Sequence, residues 1–181
     1  MHHELIKALS VITEEEQNIL SGCQTIDQQL YTEERELVVD SRKLLQHGKL
    51  IQIRPHTRFI KFPKHRHNYV EVVYMCQGMT THYIDGDRVE LKTGDLLFLN
   101  QYSEQEILPA KAEDIAVNFI ILPEFFDVAF SMMGAEENSL KDFLSGTLCG
   151  RDTKISYLHF HVADILPIQN LVENMVWTIF Y

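Results

Sequence analysis

The spacing of apolar and polar residues divides the chain into zones, and the first zone carries helix signals. Thr13 followed by Glu16 fits a capping box, in which the threonine oxygen and the glutamate side chain bind each other's backbone N–H groups. Gly22 would end that helix, and the charged, loosely amphipathic residues 33–45 predict a second one. We therefore expect an N-terminal helical arm over residues 1–50.

Beyond the arm, apolar residues recur at every second position, which is the period of a β-strand. Glycines separate the short β-branched or aromatic runs, as expected for turns. The predicted strands cover residues 51–53, 57–62, 69–76, 80–84, 89–91, 96–99, 103–108 and 115–122. So many short strands at this spacing indicate an antiparallel sandwich or barrel, because closing or doubling a sheet hides its edges. We place the barrel core at residues 51–122.

After the barrel core the helical period returns at Pro123, a residue that suits a first helical turn. Residues 138–144 predict a further short helix, and residues 154–162 alternate again as one more strand. We assign residues 123–162 to a helical insertion followed by a strand that closes the barrel.

The last predicted element is a helix over residues 163–181, with Asp164 as its cap and Pro167 in its first turn. Its apolar stripe continues to the last residue without a stop signal, and an apolar helix end left in water is a liability. Either this helix packs on a partner or the chain was cut from a longer one, so we expect the start of a dimerisation and linker helix. The residues expected at the dimer contact are Leu171, Val172, Met175 and Ile179.

Composition narrows the class of protein. With 181 residues, 45% of them hydrophobic, the chain has enough apolar material for one packed core and is not globally disordered. Its 16 Lys and Arg against 26 Asp and Glu give a formal net charge of −10, which argues against contact with DNA or with an anionic membrane. The 3 cysteines include no C-x-x-C pair, and the sequence shows no membrane-length apolar run or signal peptide, so we expect a cytoplasmic protein.

The clearest chemical feature is the alternation of His65, His67 and Glu71, which places all three on one face of an extended strand. Two imidazoles and a carboxylate on one face can bind a divalent transition metal with coordination positions left open. In the structural alternative, the two histidines line a barrel mouth and bind neighbouring groups through hydrogen bonds. A second feature is the turn Gly94-Asp95, which leads into the apolar run 96–99.

The pattern H-x-H-x(3)-E-x(6)-G over residues 65–78 resembles the first cupin motif, and Gly94-Asp95 resembles the start of the second. The departures are Phe59 and Tyr102 where glycine is usual, Asn100 where proline is usual, and Gln105 where the last metal-binding histidine would fall. The resemblance implies a metal set of His65, His67 and Glu71, in which a neutral amide replaces the fourth member. Because an amide is a weaker ligand than imidazole, no cofactor is expected, and a divalent transition metal is the alternative.

Residues 62–74, 81–86, 91–100 and 157–161 closely resemble the sensor half of AraC-type transcription regulators. In that family an N-terminal cupin barrel binds an effector, the following helices dimerise, and a C-terminal pair of helix-turn-helix motifs binds DNA. The resemblance implies a mainly β fold with flanking helices. It is a cupin-type (double-stranded β-helix) barrel with an N-terminal helical segment and a C-terminal dimerisation helix, and the DNA-binding domain is absent from this chain.

Our first hypothesis is therefore an effector-sensing domain that is not an enzyme, forms a homodimer, and reaches DNA only through the missing C-terminal domain. The effector would be a small molecule such as a sugar or a small acid, buried by apolar walls and oriented by a few polar groups. The candidate ligand-binding residues are His65, His67, Glu71, Tyr83 and Gln105.

Two other hypotheses remain open. A free-standing metal-dependent cupin enzyme, such as a dioxygenase or a sugar isomerase, is favoured by the intact His65, His67 and Glu71 face but disfavoured by Gln105. A protein-interaction module without a small ligand is the third. His159 and His161 alternate with apolar residues, which favours surface or packed histidines over metal ligands.

Overall fold

The computed structural model describes residues 3–34, 36–134, 138–149 and 155–181. The strands, in chain order, are β1 (Val38–Val39), β2 (Ile51–Pro55), β3 (Phe62–His67), β4 (Val70–Gln77), β5 (Met79–Ile84), β6 (Asp87–Lys92), β7 (Leu96–Leu99), β8 (Gln105–Ile107), β9 (Ile115–Ile121) and β10 (Tyr157–Phe160). The α-helices are α1 (His3–Leu9), α2 (Glu14–Leu20), α3 (Ser41–Leu44), α4 (Asp127–Met132), α5 (Ser139–Cys149) and α6 (Leu166–Phe180). Short 3-10 helices cover Gln28–Leu30 and Pro123–Phe126.

The strands form two five-stranded sheets, one in the order β1-β3-β8-β5-β6 and the other in the order β10-β7-β4-β9-β2. Apart from the parallel pair β1–β3, the described strand pairs are antiparallel. The hairpin between β5 and β6 turns at Asp85 and Gly86, whose φ angles are 51° and 95°. Positive φ at both central residues is the requirement of a type I′ turn, whose twist suits a two-residue hairpin.

The second sheet is buried on both faces, which explains why its central strand reads as a nearly continuous apolar run. In β4, Val72 and Tyr74 belong to a core shared with α1, α5 and α6. Val73 and Met75 point the other way and pack against residues of the first sheet inside the barrel. Because successive side chains of a strand alternate between faces, Glu71 also points into the barrel.

The N-terminal arm packs against the barrel at two places. The predicted capping box is confirmed, since Thr13 and Glu16 bind each other's backbone N–H groups at the start of α2. The Glu16 carboxylate also forms an ion pair with Arg58, which lies in the connection between β2 and β3. Oε1 of Glu16 is 2.7 Å from Nε of Arg58, and both side chains are buried. Leu5 and Leu9 of α1 lie in the same core as Val172 and Val176 of α6. The arm therefore contacts both the barrel and the last helix.

Two predicted elements of the arm and barrel differ in the structure. Residues 33–45 do not form one helix, because β1 pairs with β3 and α3 begins only afterwards with Asp40 as its cap. Residues 57–62 do not form a strand of their own. The chain leaves the sheet after β2, turns through Phe59 at a φ of 70°, and buries Arg58 against Glu16. In both places long-range contacts override the local pattern.

The C-terminal elements also differ in detail. The closing strand β10 is shorter than the predicted 154–162, of which residue 154 lies outside the described residues. Pro167 lies in the first turn of α6 as predicted, but Ile165 takes the cap position in place of Asp164 and makes no side-chain cap bond. Among the described residues no helix is both long and apolar enough to cross a membrane.

The predicted dimer residues divide between two faces of α6. Leu171 is 64% exposed and Met175 is 40% exposed, so both are accessible to a partner. Val172 is 8% exposed and packs in the core with α1, and Ile179 packs partly against the same core. We correct the expected contact accordingly, since the side chain of Val172 already has its partners within the chain.

Candidate functional site

The histidines and the glutamate of the first motif meet inside the barrel, but from two strands and two sheets. His65 and His67 lie on β3, and the chain turns at Asn68 before Glu71 follows on β4. The prediction of one continuous strand is therefore wrong, although the three side chains do share a location. All three are buried, with exposures of 4%, 2% and 3% respectively.

A relay of hydrogen bonds fixes the carboxylate of Glu71. Asn118 on β9 donates from Nδ2 to Glu71 Oε1 over 2.8 Å, and its Oδ1 lies 2.9 Å from His56 Nδ1. Since an amide oxygen only accepts, the Nδ1 of His56 carries the hydrogen in this bond. The second carboxylate oxygen, Oε2, lies 3.5 Å from Nε2 of His67. Glu71 is thus held from β9 while its other oxygen faces the histidine.

A second polar group surrounds Gln105, the residue at the position of the missing histidine. Its Nε2 lies 2.8 Å from His82 Nδ1, and His82 Nε2 lies 2.9 Å from the hydroxyl of Thr80. Gln105 and His82 are fully buried. The amide of Gln105 therefore forms a hydrogen bond with the imidazole of His82 on the neighbouring strand β5.

Burial determines the charge of the site. It lowers the pKa of His65 to about 4, with the charge of His67 adding to the effect, and lowers the pKa of His67 to about 3. Burial also lowers the pKa of His56 and of His82, and raises the pKa of Glu71 above its ordinary value. The imidazoles of the site are accordingly neutral at neutral pH, and they can bind a polar group through hydrogen bonds.

Several polar atoms of this site have no hydrogen-bond partner among the described residues. They are Nε2 of His56, Nδ1 of His67, Oε2 of Glu71 and Oε1 of Gln105. A buried polar atom left unpaired costs about 1–3 kcal/mol, so each favours a bound group that supplies the missing partner. His56, His67 and Glu71 line a cavity of about 30 Å³, which accommodates one or two water molecules.

The residues that the cupin resemblance implies as metal ligands do not fit a metal in this arrangement. Within the described ranges, the group of three ligand atoms that lie within 4.8 Å of one another is a different one and does not include His65, His67 and Glu71. We therefore derive no chemistry through a metal in the barrel.

A much larger groove between the arm and the barrel adjoins the small cavity. This groove has a volume of about 1080 Å³ and is lined on one side by α2 and residues 23–30, and on the other by residues 54–57. The cavity and the groove share lining residues from α3 and the end of β2. These are Leu44, Arg54, Pro55, His56 and Thr57. The cavity beside the unpartnered polar atoms therefore lies next to the groove.

Charged and hydroxyl groups hold the arm at the rim of the groove. Arg54 Nη2 donates to Glu15 Oε2 over 3.0 Å, and the hydroxyl of Tyr31 donates to Glu15 Oε1 over 2.6 Å. Thr57 completes the group with a 3.3 Å hydrogen bond to the same carboxylate. Burial raises the pKa of Tyr31 to about 12, so its hydroxyl keeps the hydrogen that it donates. Arg54, Glu15 and Thr57 of this rim also line the groove.

Of the predicted ligand-binding residues, His65, His67 and Glu71 line the cavity, whereas Tyr83 and Gln105 are not among its lining residues. On β5 the inward positions are Thr80, His82 and Ile84, and Tyr83 lies on the opposite, partly exposed face. The residues that the sequence analysis missed are His56, His82 and Asn118. Asn118 could have been found from the sequence, because it is the one polar residue in the otherwise apolar strand β9. We leave Tyr83 out of the site and add these residues.

Residues 47–126 match the family described as AraC-like ligand binding domain. This segment of the chain is similar to an AraC-like ligand-binding domain. The predicted resemblance is thereby confirmed, and the two sheets with flanking helices confirm the mainly β, cupin-type barrel of such a domain. A comparison with curated protein sequences finds no match.

Solved structures similar to this AraC-like chain include two of ToxT from Vibrio cholerae strain SCE256. An apo lysine-to-alanine variant has 12% identity and a TM-score of 0.52, covering 74% of this chain and 49% of that chain. Wild-type ToxT with bound unsaturated fatty acid has 11% identity and a TM-score of 0.46, covering 68% and 45%. KdgF from Halomonas sp. has 16% identity and a TM-score of 0.33, covering 42% and 83%. The chain thus spans about half the length of the ToxT chains it matches.

Proposed function

We propose that this chain is the effector-sensing and dimerisation part of an AraC-type transcription regulator, without enzymatic activity. The observation that carries the proposal is the groove between the arm and the barrel, which adjoins a cavity lined by residues with unpartnered buried polar atoms. Binding pockets for small molecules generally have volumes of roughly 300–1,000 Å³ and a few placed polar groups, and the groove together with the cavity has this character.

The polar atoms favour a hydroxyl-bearing effector, such as a sugar, over a small acid. Oε2 of Glu71, a residue that lines the cavity, is an acceptor, and a hydroxyl group supplies the hydrogen that it lacks. A carboxylate in the same place would face the carboxyl group of Glu71 and repel it when both are ionised. The neutral imidazole of His67 accepts or donates a hydrogen bond according to its tautomer, which suits a hydroxyl equally well.

A chain of contacts connects the groove with the last helix. Glu16 of α2 lines the groove, and its partner Arg58 donates from Nη2 to the backbone carbonyls of Ser10 and Val11 after α1. Helix α1 in turn packs in one core with α6. An effector that binds one position of the arm more tightly than another would shift the population of arm positions and, through α1, the environment of α6.

The output of this sensing lies outside the chain. With a net charge of −10 the chain is poorly suited to bind DNA itself, so the proposal assigns DNA contact to a C-terminal domain of the whole regulator. The exposed face of α6 around Leu171 and Met175 is the proposed dimer contact, and the cytoplasm is the proposed location. Dimerisation would hold two DNA-binding domains at a spacing that the effector changes.

A thermal-shift screen of neutral monosaccharides, sugar acids and an unsaturated fatty acid tests the proposal. A ligand present at 100 times its Kd stabilises the folded state by about 2.7 kcal/mol, which corresponds to a Tm increase of roughly 5–10 °C for a chain of this size. We expect a neutral hydroxyl-bearing compound to give this shift. Glu71→Gln should reduce it strongly and the outward-facing Tyr83→Phe should not.

Two results would contradict the proposal. If none of the compounds stabilises the protein at millimolar concentration, the space between arm and barrel is not an effector site. If the purified protein retains iron, nickel or zinc at one ion per chain, and His65→Gln alone abolishes this binding, the metal-dependent enzyme becomes the better interpretation.

A further inference from the structure

A second cluster of possible metal ligands lies on the opposite side of the fold from the groove, where the barrel meets α6. Asp95 belongs to the turn between β6 and β7, His159 lies on β10, and His161 follows two residues later. His159 and His161 are two positions apart, and both rings face the carboxylate of Asp95. The centroids of the two rings are 4.1 Å apart. Two separate segments of the chain thus supply three potential ligands.

The distances within this cluster match those of a metal coordination shell. Oδ2 of Asp95 lies 3.1 Å from Nε2 of His159 and 3.2 Å from Nδ1 of His161. The three atoms lie within 4.8 Å of one another. Zinc binds nitrogen and oxygen at about 2.0–2.2 Å in a tetrahedron, which separates two ligands by about 3.4 Å. Small movements would therefore place one ion at bonding distance from all three atoms.

The cluster is held in place before any ion binds. Asp95 is buried, and its Oδ2 accepts the backbone N–H of Lys92 over 3.1 Å, which fixes the carboxylate in the turn. His159 is fixed by the pairing of β10 with β7, opposite Leu97. The side chain of His161 is 73% exposed, so solvent reaches the site and water can complete the coordination. This combination of a fixed inner side and an open outer side is typical of a site that exchanges its ion with solution.

We propose that Asp95, His159 and His161 form a binding site for a divalent transition metal ion such as zinc, cobalt or nickel. Two imidazoles with one carboxylate select such ions over calcium or magnesium, which prefer an all-oxygen shell. The site is separate from the barrel cavity and does not rest on the proposed effector function. The alternative is that Asp95 only accepts hydrogen bonds from the two histidines.

An ion at this site would join the barrel to the segment that leads into α6. Close contacts already exist there, since Gln169 of α6 donates from Nε2 to the carbonyl of Gly94 over 2.9 Å. The hydroxyl of Tyr74 donates to the other end of the same amide over 2.6 Å. Metal binding would add a bond between the turn and β10, and thereby stabilise the position of α6 against the barrel.

The test is a titration of the metal-free, untagged protein with Co²⁺, followed by visible absorption and by displacement with Zn²⁺. We expect one Co²⁺ per chain, and His161→Gln should weaken binding by about 100-fold, since even changes outside the coordination shell cost roughly 10–100-fold. His161 is exposed, so this variant should fold as the wild type does. The exposed His3 and His47, replaced together by Gln, provide the matched control and should leave the affinity unchanged.

The proposal is overturned if wild-type protein binds no Co²⁺ at millimolar concentration, or if His161→Gln binds it as tightly as wild type. It is likewise overturned if His65→Gln abolishes binding while His161→Gln retains it, because the ion would then occupy the barrel. An Asp95→Asn variant gives an independent reading, since the amide keeps the shape and an acceptor oxygen for Lys92 but is a poorer metal ligand.

Discussion

Replacing Arg58 by methionine should detach the arm from the barrel. The guanidinium group donates to Glu16 from Nε over 2.7 Å and from Nη2 over 2.9 Å. It also donates to the carbonyl of Ala112 from Nη1 over 3.0 Å and to two carbonyls after α1. The side chains of Arg58 and Glu16 are 4% and 1% exposed, so methionine would leave a carboxylate buried without its countercharge.

The expected loss in the free energy of unfolding is about 3–5 kcal/mol, the usual effect of removing one partner of a buried ion pair. Chemical denaturation with urea, followed by circular dichroism, measures it. The double variant Glu16→Gln with Arg58→Met should lose less than the sum of the two single variants, because no unpaired charge remains. A loss below about 1 kcal/mol for Arg58→Met, or full additivity in the double variant, would refute the reasoning.

The same pair makes stability depend on pH with a definite sign. Burial alone would raise the pKa of Glu16, but hydrogen bonds and the charge of Arg58, with the N–H of Thr13, together lower it below the ordinary 4.5. The contribution of Glu16 is therefore fully present above about pH 4.5 and is lost as the pH falls through its pKa in the folded state. In the Glu16→Gln variant, the free energy of unfolding should no longer show this contribution to the loss of stability at low pH.

The remaining predictions concern the C-terminal junction and the last helix. A Cβ at Gly94 would lie 2.7 Å from the Cα of Ala163. Gly94→Ala should therefore lower the free energy of unfolding, measured with urea, by a few kcal/mol more than Gly22→Ala does. Gly22 also has a positive φ, but a Cβ there would meet no neighbouring atom within 4 Å. Equal losses would show that the junction can move aside. Leu171→Asp should convert a dimer to a monomer in sedimentation analysis, with little change in Tm, because Leu171 is exposed. Val172→Asp should instead unfold the chain, because Val172 is buried. If the Leu171→Asp variant stays dimeric, this face of α6 is not the dimer contact.

Local signals were sufficient to predict several elements. The capping box at Thr13 depends on residues three positions apart, and the turn between the predicted strands 80–84 and 89–91 depends on the adjacent residues Asp85 and Gly86. Each is specified by its own short segment, so no knowledge of the rest of the fold is needed. The inward alternation of the barrel strands is a similar case, because burial of one face imposes a period of two.

Other features depend on contacts between distant segments and could not be predicted from the pattern. Residues 33–45 lose their helical potential where Val38 and Val39 pair with β3, a partner far along the chain. The presence of His56 and Asn118 in the site follows from the pairing of β2 with β9, which brings the two residues together inside the barrel. A sequence shows that such residues are polar, but only the strand order shows which of them meet.

The order of the strands also has a consequence for the solubility of the protein when the arm moves. With the arm closed, the first sheet ends in the two-residue strand β1 and in β6, where Asp87, Arg88 and Lys92 are exposed. If the arm opened, β3 would become the new edge, and an unpaired edge invites aggregation by strand addition. Pro63 and Lys64 on that strand oppose such addition, since proline lacks the N–H and lysine resists burial. These two residues would therefore oppose self-association of the barrel if the arm opened.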